Sequence, residues 1–167
     1  MGAAAGSGSA RAVALDLDAV LGDTRPLWAA WLEDASRRFR SIAPLDPDAL
    51  PADRGAAAGE LDRWAEGGIG DWRSALERFA EDHAPVYLRP RAKVSTSVRR
   101  LAATGAAVGV FTDAPEPLAK VALAHLGVAR RVAVLETGAG ALDRLTERLG
   151  GRPLVIRSAK DLARASA

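Results

Sequence analysis

Two aspartates, Asp16 and Asp18, follow a short apolar stretch near the start of the chain, and their spacing suits acid chemistry on one ligand. A carboxylate is able to attack phosphorus and form an acyl phosphate, while a neighbouring carboxyl group protonates the leaving oxygen and later activates water. Two carboxylates about 4 Å from a phosphate dianion repel it by about 4 kcal/mol per unit-charge pair at an effective dielectric of about 20, so a divalent cation such as Mg²⁺ is expected there. The alternative is that both aspartates cap the turn after a strand, and their spacing alone does not separate the two.

The apolar stretch before Asp16 belongs to a repeating pattern of strands and helices. Runs of Val, Ala, Leu and Ile predict buried parallel strands, separated by segments with helical spacing that end before a glycine. Ligands of such sheets bind outside the carboxyl ends of the strands, so a common rim is expected for Asp16, Thr112, Glu136 and Arg157. The predicted fold class is α/β, a Rossmann-like three-layer core with a short parallel sheet. The predicted strands span residues 11–17, 106–112, 131–135 and 153–157, and the predicted helices span residues 95–103, 116–126 and 140–149.

A long insert separates the first two predicted strands. Apolar residues at helical spacing predict one helix over residues 26–40 and another over residues 71–83. All four tryptophans of the chain fall in this insert, and a small packed core explains them better than an aromatic ligand site does. The predicted organisation is a disordered tail at residues 1–10, an α/β core at residues 11–23 and 89–167, and a small all-helical cap at residues 24–88.

Two segments around the first and second strands form motifs that are known to occur together. Segment 14–24 (ALDLDAVLGDT) has apolar residues before an Asp-x-Asp pair, with a predicted helical insert soon afterwards. Segment 109–113 (GVFTD) is a strand that ends in a threonine. Together they resemble the first and second motifs of haloacid-dehalogenase-like (HAD) phosphatases, in the right order and over most of the chain.

That resemblance implies a role for each matching residue. Asp16 would be the nucleophile and a ligand of Mg²⁺, and Asp18 the general acid and base, with its backbone carbonyl also on the metal ion. Thr112 would hold a phosphate oxygen together with the adjacent Asp113. A hydroxyl that caps the next helix is the alternative for Thr112, and one threonine is able to do both. Asp161 would complete the metal site.

The second half of the chain departs from the family pattern. The Gly-Thr expected after Asp18 is replaced by residues 19–20 (AV), and Glu136 stands near the end of the third strand where a lysine is expected. Arg157 stands in place of the leading carboxylate of the last motif. Because a guanidinium binds phosphate with two hydrogen bonds, we expect Arg157 to be a phosphate ligand. A second hypothesis is that Glu136 and Arg157 form an ion pair with its sign reversed.

These features leave two functions open. The first is a HAD-like hydrolase, a phosphatase that acts on a small phosphorylated metabolite through an aspartyl-phosphate intermediate while the cap closes over the substrate. The second is a catalytically impaired relative with a binding or regulatory role, in which a second copy of the chain or a protein partner docks on the cap. The intact Asp16, Asp18 and Thr112 favour the first, and the missing motif lysine and aspartate favour the second. A dehalogenase fits less well, because the acid at Asp18 is typical of phosphoryl chemistry.

Composition narrows the cellular setting and the partners. The chain has 167 residues, a formal net charge of +2 and no cysteine. The lack of cysteine excludes a disulfide framework and thiolate metal sites, and the cytoplasm is the expected location. The arginines are scattered, which is typical of a solvated surface and not of a nucleic-acid-binding face. Charged residues interrupt every apolar run, so no membrane span is expected.

Overall fold

The parallel sheet that the sequence predicts is present. The computed structural model of the chain describes residues 11–167, so the tail predicted for residues 1–10 lies outside the described residues. The strands pair in the order β3-β2-β1-β4, and every pairing is parallel. The α/β fold class is therefore confirmed. The strands are β1 (Ala12–Asp16), β2 (Ala107–Thr112), β3 (Val134–Thr137) and β4 (Leu154–Ile156).

Helices fill the insert between β1 and β2, as predicted. The first three are α1 (Arg25–Arg38), α2 (Arg54–Trp64) and α3 (Trp72–Tyr87). The sequence analysis predicted α1 and α3 but not α2. Three tryptophan rings from α1 and α3 pack with centroids 5.4, 5.8 and 6.5 Å apart, and all three are buried. The tryptophans thus form a packed core, as expected. These rings are Trp28, Trp31 and Trp72.

Four further helices alternate with the remaining strands and give the three layers. They are α4 (Ala92–Ala103), α5 (Glu116–His125), α6 (Ala141–Arg148) and α7 (Ala159–Ala165). Successive residues of a strand point to opposite faces of the sheet. Val13 and Leu15 of β1 accordingly pack in one apolar cluster with α4, α5 and α7, whereas Ala14 packs in a second cluster with α6. Helices therefore cover both faces of the sheet.

Three element boundaries differ from their predictions by three residues or more, and one of them is the start of α4, at Ala92 and not at residue 95. β3 begins at Val134 and not at residue 131, because Ala129–Arg131 forms a short 3-10 turn before the strand. α3 continues beyond His83 to Tyr87, with Pro85 inside its last turn. The glycine stop signals, in contrast, are correct: Gly105 after α4 has a φ of +81°, the left-handed conformation that favours glycine.

The helical insert and the sheet share one apolar cluster. α3 packs on α5, and buried residues of the insert such as Leu76 belong to the same cluster as Leu15 of β1. α6 packs tightly on the sheet at Gly109, where a Cβ atom would lie 2.6 Å from Leu145 Cδ1. Within residues 11–167, no helix is both long and apolar enough to cross a membrane.

Candidate active site

The carboxyl edge of the sheet collects the residues that the sequence analysis expected at one rim. Asp16 is the last residue of β1 and lies in register with Phe111 of β2, so Thr112 is the next residue along that neighbouring strand. Arg157 directly follows β4, which pairs with the other side of β1. The meeting of these side chains follows from parallel pairing, because all carboxyl ends then lie at the same edge.

Asp18 lies in a π-helical turn, Leu17–Leu21, that leaves β1 at this edge, and its carboxylate accepts four hydrogen bonds. Thr24 donates to Oδ1 from its backbone nitrogen at 2.8 Å and from its hydroxyl at 2.6 Å. Thr112 donates its hydroxyl to Oδ2 at 2.8 Å. The same Thr112 oxygen accepts a hydrogen bond from the backbone nitrogen of Ala114 at 3.1 Å, just before α5. Because the N-cap of α5 is Pro115 and has no side-chain cap, Thr112 does not cap that helix, and its role as a phosphate ligand stays a prediction.

The fourth donor to Asp18 is Arg54, which the sequence analysis did not single out. Arg54 is the first residue of α2, and its side chain is only 3% exposed. Its Nη2 donates to Asp18 Oδ2 at 2.7 Å and to Asp113 Oδ1 at 2.7 Å. Its Nε and its backbone nitrogen also donate to Asp113, at 3.1 and 2.9 Å, and Nη1 donates to the Thr24 hydroxyl at 2.7 Å. One buried guanidinium therefore joins α2 of the insert to Asp18 after β1 and to Asp113 after β2.

The charges in this network stabilise one another. Burial alone would raise the pKa of Asp113, but the hydrogen bonds and positive charge of Arg54 lower it below the usual value. Burial alone would lower the pKa of Arg54, and the carboxylates of Asp113 and Asp18 raise it above its usual value instead. Both groups are therefore ionised near neutral pH. Asp113 was expected as a phosphate ligand, and in this structure both of its carboxylate oxygens accept hydrogen bonds from Arg54.

The first turn of α2 approaches the loop after β3 so closely that only glycine fits at Gly55. A Cβ atom there would overlap the backbone nitrogen of Ala139 and would lie 3.0 Å from the carbonyl carbon of Gly138. Asp53 begins the helix by accepting a hydrogen bond from the Ala56 nitrogen at 2.8 Å. This backbone contact and the Arg54 side chain hold the insert closed over the rim.

Arg157 contacts Asp16 and not Glu136, so the reversed Glu136–Arg157 ion pair is wrong. Arg157 Nη1 lies 3.8 Å from Asp16 Oδ2, and its guanidinium carbon lies 5.4 Å from the centre of the Phe111 ring. Glu136 is bound instead by Arg144 at 3.0 Å and Arg148 at 2.7 Å. The physical reason is the strand order: β3 and β4 are opposite edges of the sheet, about 14 Å apart at three strand spacings.

The residues that the resemblance implies for Mg²⁺ do not fit that ion in this arrangement. Asp161 lies in the first turn of α7, where its carboxylate accepts the Ser158 hydroxyl at 2.7 Å and lies 3.5 Å from Arg164. Within residues 11–167, no three His, Cys, Asp or Glu side chains are grouped so that they could hold a metal ion. Magnesium requires several oxygen ligands around one point, and Asp161 is not grouped with Asp16 and a third carboxylate within these residues.

The fold and the rim together define an α/β protein with a helical insert after the first strand of a parallel sheet. No family model matches the sequence, and no curated protein matches it. Among solved structures, the chain is similar to one from Thermotoga maritima that is assigned as a beta-phosphoglucomutase. The TM-score is 0.51 at 18% sequence identity, and the match covers 93% of this chain and 81% of the other. At this identity the likeness shows the fold alone.

Proposed function

We propose that the protein is a HAD-like hydrolase, a phosphatase that acts on a small phosphorylated metabolite with Asp16 as nucleophile. The observation that carries the proposal is the 2.8 Å hydrogen bond from the Thr112 hydroxyl to Asp18, beside the end of β1. It supports a common site for the first two motifs, which is the arrangement that an attack on a bound phosphoryl group needs. The similar solved structure from Thermotoga maritima, by its assignment, also belongs to phosphoryl chemistry.

Asp16 is better placed to attack than Asp18. Oδ1 of Asp16 accepts one hydrogen bond, from the Ala19 nitrogen at 3.2 Å, and Oδ2 lies 3.8 Å from Arg157. Its side chain is 20% exposed, against 12% for Asp18. An attacking oxygen needs an uncommitted lone pair and room for the substrate, and Oδ2 of Asp16 offers both.

In the proposed reaction, an Asp16 oxygen bonds to phosphorus as the bond from phosphorus to the ester oxygen breaks. The leaving alcohol takes a proton from Asp18, and water then cleaves the aspartyl phosphate, giving orthophosphate and free Asp16. Asp18 has to release one of its four donors before it is able to carry that proton. Since Arg54 is the donor that comes from the insert, turnover requires the insert to move away from the rim.

The test is hydrolysis of para-nitrophenyl phosphate and a panel of small phosphorylated metabolites, with magnesium and with EDTA. The wild type is expected to release orthophosphate, and Asp16→Asn to lose at least about a hundredfold in rate, because the amide is no nucleophile. Asp143→Asn is the matched control, since Asp143 is exposed in the first turn of α6. Activity that survives Asp16→Asn would refute the assignment of the nucleophile.

A second candidate function is a catalytically impaired relative with a binding or regulatory role. The observation that favours it is the buried Arg54, which engages the expected acid at Asp18 and the expected phosphate ligand at Asp113. This candidate predicts no turnover on the panel, together with binding of a partner on the insert. Both proposals place the protein in the cytoplasm, and the only support for that location is the lack of cysteine in the sequence.

A further inference from the structure

We propose that the guanidinium of Arg54 is a built-in cation that replaces a divalent metal ion at this site, so that the wild-type protein has no need of magnesium to stabilise its acidic rim. The inference concerns the site on which the proposed function rests, and it deepens that proposal by stating which charge balances the carboxylates.

Arg54 places a positive charge between two carboxylates of the rim, those of Asp18 and Asp113. Its Nη2 lies 2.7 Å from an oxygen of Asp18 and 2.7 Å from an oxygen of Asp113, so the two carboxylates share one nitrogen. The second oxygen of Asp113 accepts the Arg54 backbone nitrogen. Two carboxylates facing one point are a site for a cation, and here that point is taken by a side chain that is 3% exposed.

Two of the three negative charges at the rim are balanced without a metal ion. Asp16, Asp18 and Asp113 carry three negative charges, and Arg54 and Arg157 carry two positive ones. Asp23 is nearby but is paired with Arg25 through two hydrogen bonds, of 2.8 and 2.9 Å. Two guanidinium groups thus supply the same charge as one divalent ion. Because arginine stays protonated and offers five donors in a fixed geometry, it is able to bind two carboxylates at once at any pH near neutrality.

The remaining expected metal ligand lies in its own hydrogen-bonded turn. Asp161 joins Ser158 through two hydrogen bonds, accepting the hydroxyl at 2.7 Å while its nitrogen donates to the Ser158 oxygen at 3.1 Å. That reciprocal pair stabilises the start of α7. Asp161, which the resemblance implies as a metal ligand, is therefore used in helix capping.

The first experiment titrates MgCl₂ into the full-length wild-type protein in a calorimeter and follows its melting temperature in EDTA and in MgCl₂. We expect no binding heat and the same melting temperature in both buffers. Specific binding of Mg²⁺ to the wild type, or a magnesium-dependent rise of its melting temperature beyond that given by NaCl of equal ionic strength, would overturn the inference.

The second experiment removes the built-in cation. Arg54→Ala leaves Asp18 and Asp113 facing one another, so it is expected to melt at a lower temperature and to gain divalent-ion binding. Saturating MgCl₂ or CaCl₂ should then raise its melting temperature by about 5 °C. Arg144→Ala is the matched control, because Glu136 at the same rim keeps Arg148 and should gain no metal response.

Two further variants keep the test decisive if Arg54→Ala does not fold. Arg54→Lys retains one positive charge and is expected to fold and to ignore MgCl₂. The double variant Arg54→Ala with Asp113→Asn removes one carboxylate, so it should fold more readily and bind divalent ions more weakly than Arg54→Ala. A failure of MgCl₂ and CaCl₂ to stabilise Arg54→Ala, or to restore its folding, would contradict the proposal.

The hydrolysis assay separates this inference from the proposed function. Hydrolysis that persists in EDTA supports both, whereas hydrolysis that requires added magnesium refutes the built-in cation and leaves the phosphatase standing. If the wild type has neither turnover nor metal binding but Arg54→Ala gains a metal site, the built-in cation stands and the phosphatase fails.

Discussion

Asp18 shows how far single residues are predictable from this sequence. Its meeting with Thr112 was predicted because both residues stand at the ends of neighbouring parallel strands, and such ends share an edge. Its contact with Arg54 was not predicted, because Arg54 lies 36 residues further along the chain and the contact depends on how the insert folds back onto the sheet. The sequence does indicate the helix that carries Arg54, through the N-cap residue Asp53 and the helical spacing of Ala57 and Leu61. It does not indicate which residues Arg54 contacts.

At the residue scale, the lowered pKa of Asp113 makes the closed arrangement sensitive to acid. A carboxyl group whose pKa is lower in the folded state adds stability that is complete above its unfolded value, here 3.8, and that is lost as the pH falls through the folded value. The test is urea unfolding at pH 6 and at pH 3, one on each side of that value. Between these two pH values, the free energy of unfolding should fall more in the wild type than in Asp113→Asn. An equal drop in the two proteins would show that the Asp113–Arg54 pair does not stabilise the fold.

At the scale of elements, α2 contributes most of the contacts between the insert and the rim. It presents Arg54 to the rim, and the lack of a side chain at Gly55 lets its first turn rest on the backbone at Ala139. The pattern of predicted strands could not reveal this contact, because a small residue in a polar segment gives no periodic signal. The wrong Glu136–Arg157 pair has a related cause: the strand order, which sets the distance between them, is not encoded in any single motif.

Two glycines of α2 give a matched pair of substitutions. At Gly59 a Cβ atom would meet nothing within 4 Å, so Gly59→Ala should raise the free energy of unfolding by about 0.5–1 kcal/mol through helix propensity. Gly55→Ala has the same propensity gain but forces α2 away from Ala139, and overpacking of this kind costs about 1–3 kcal/mol. Urea unfolding at pH 7 measures both; a Gly55→Ala protein as stable as Gly59→Ala would show that the insert does not rest on that loop.

For the whole molecule, the important feature is that one apolar cluster joins the insert to the sheet. Leu76 in α3 and Leu118 in α5 are both fully buried in it, on helices that pack against one another. The sequence predicted a core and a cap as separate ranges, 11–23 with 89–167 and 24–88, and that division stays a prediction. A shared cluster indicates that both parts unfold together.

Cooperative unfolding gives a test at the same scale. Leu76→Ala and Leu118→Ala should each lower the free energy of unfolding by about 2–5 kcal/mol, and neither should split the transition. Since all four tryptophans lie in the insert, fluorescence follows that part, while far-ultraviolet circular dichroism follows all helices. Urea curves from the two signals should coincide in each variant. Two separate midpoints would mean that the insert and the α/β core are independent units.

The outer side of β4 has a consequence for how the protein behaves at high concentration. In the part of the chain that the structure describes, no strand pairs with that side, and Leu154 and Val155 are 42% and 39% exposed. An open sheet edge is a template on which another molecule can add a strand and begin to aggregate. Here the strand has only three residues, and Pro153 and Arg157 flank it. A short edge between a proline and a charge discourages such intermolecular growth, so the open side remains compatible with a dispersed monomer.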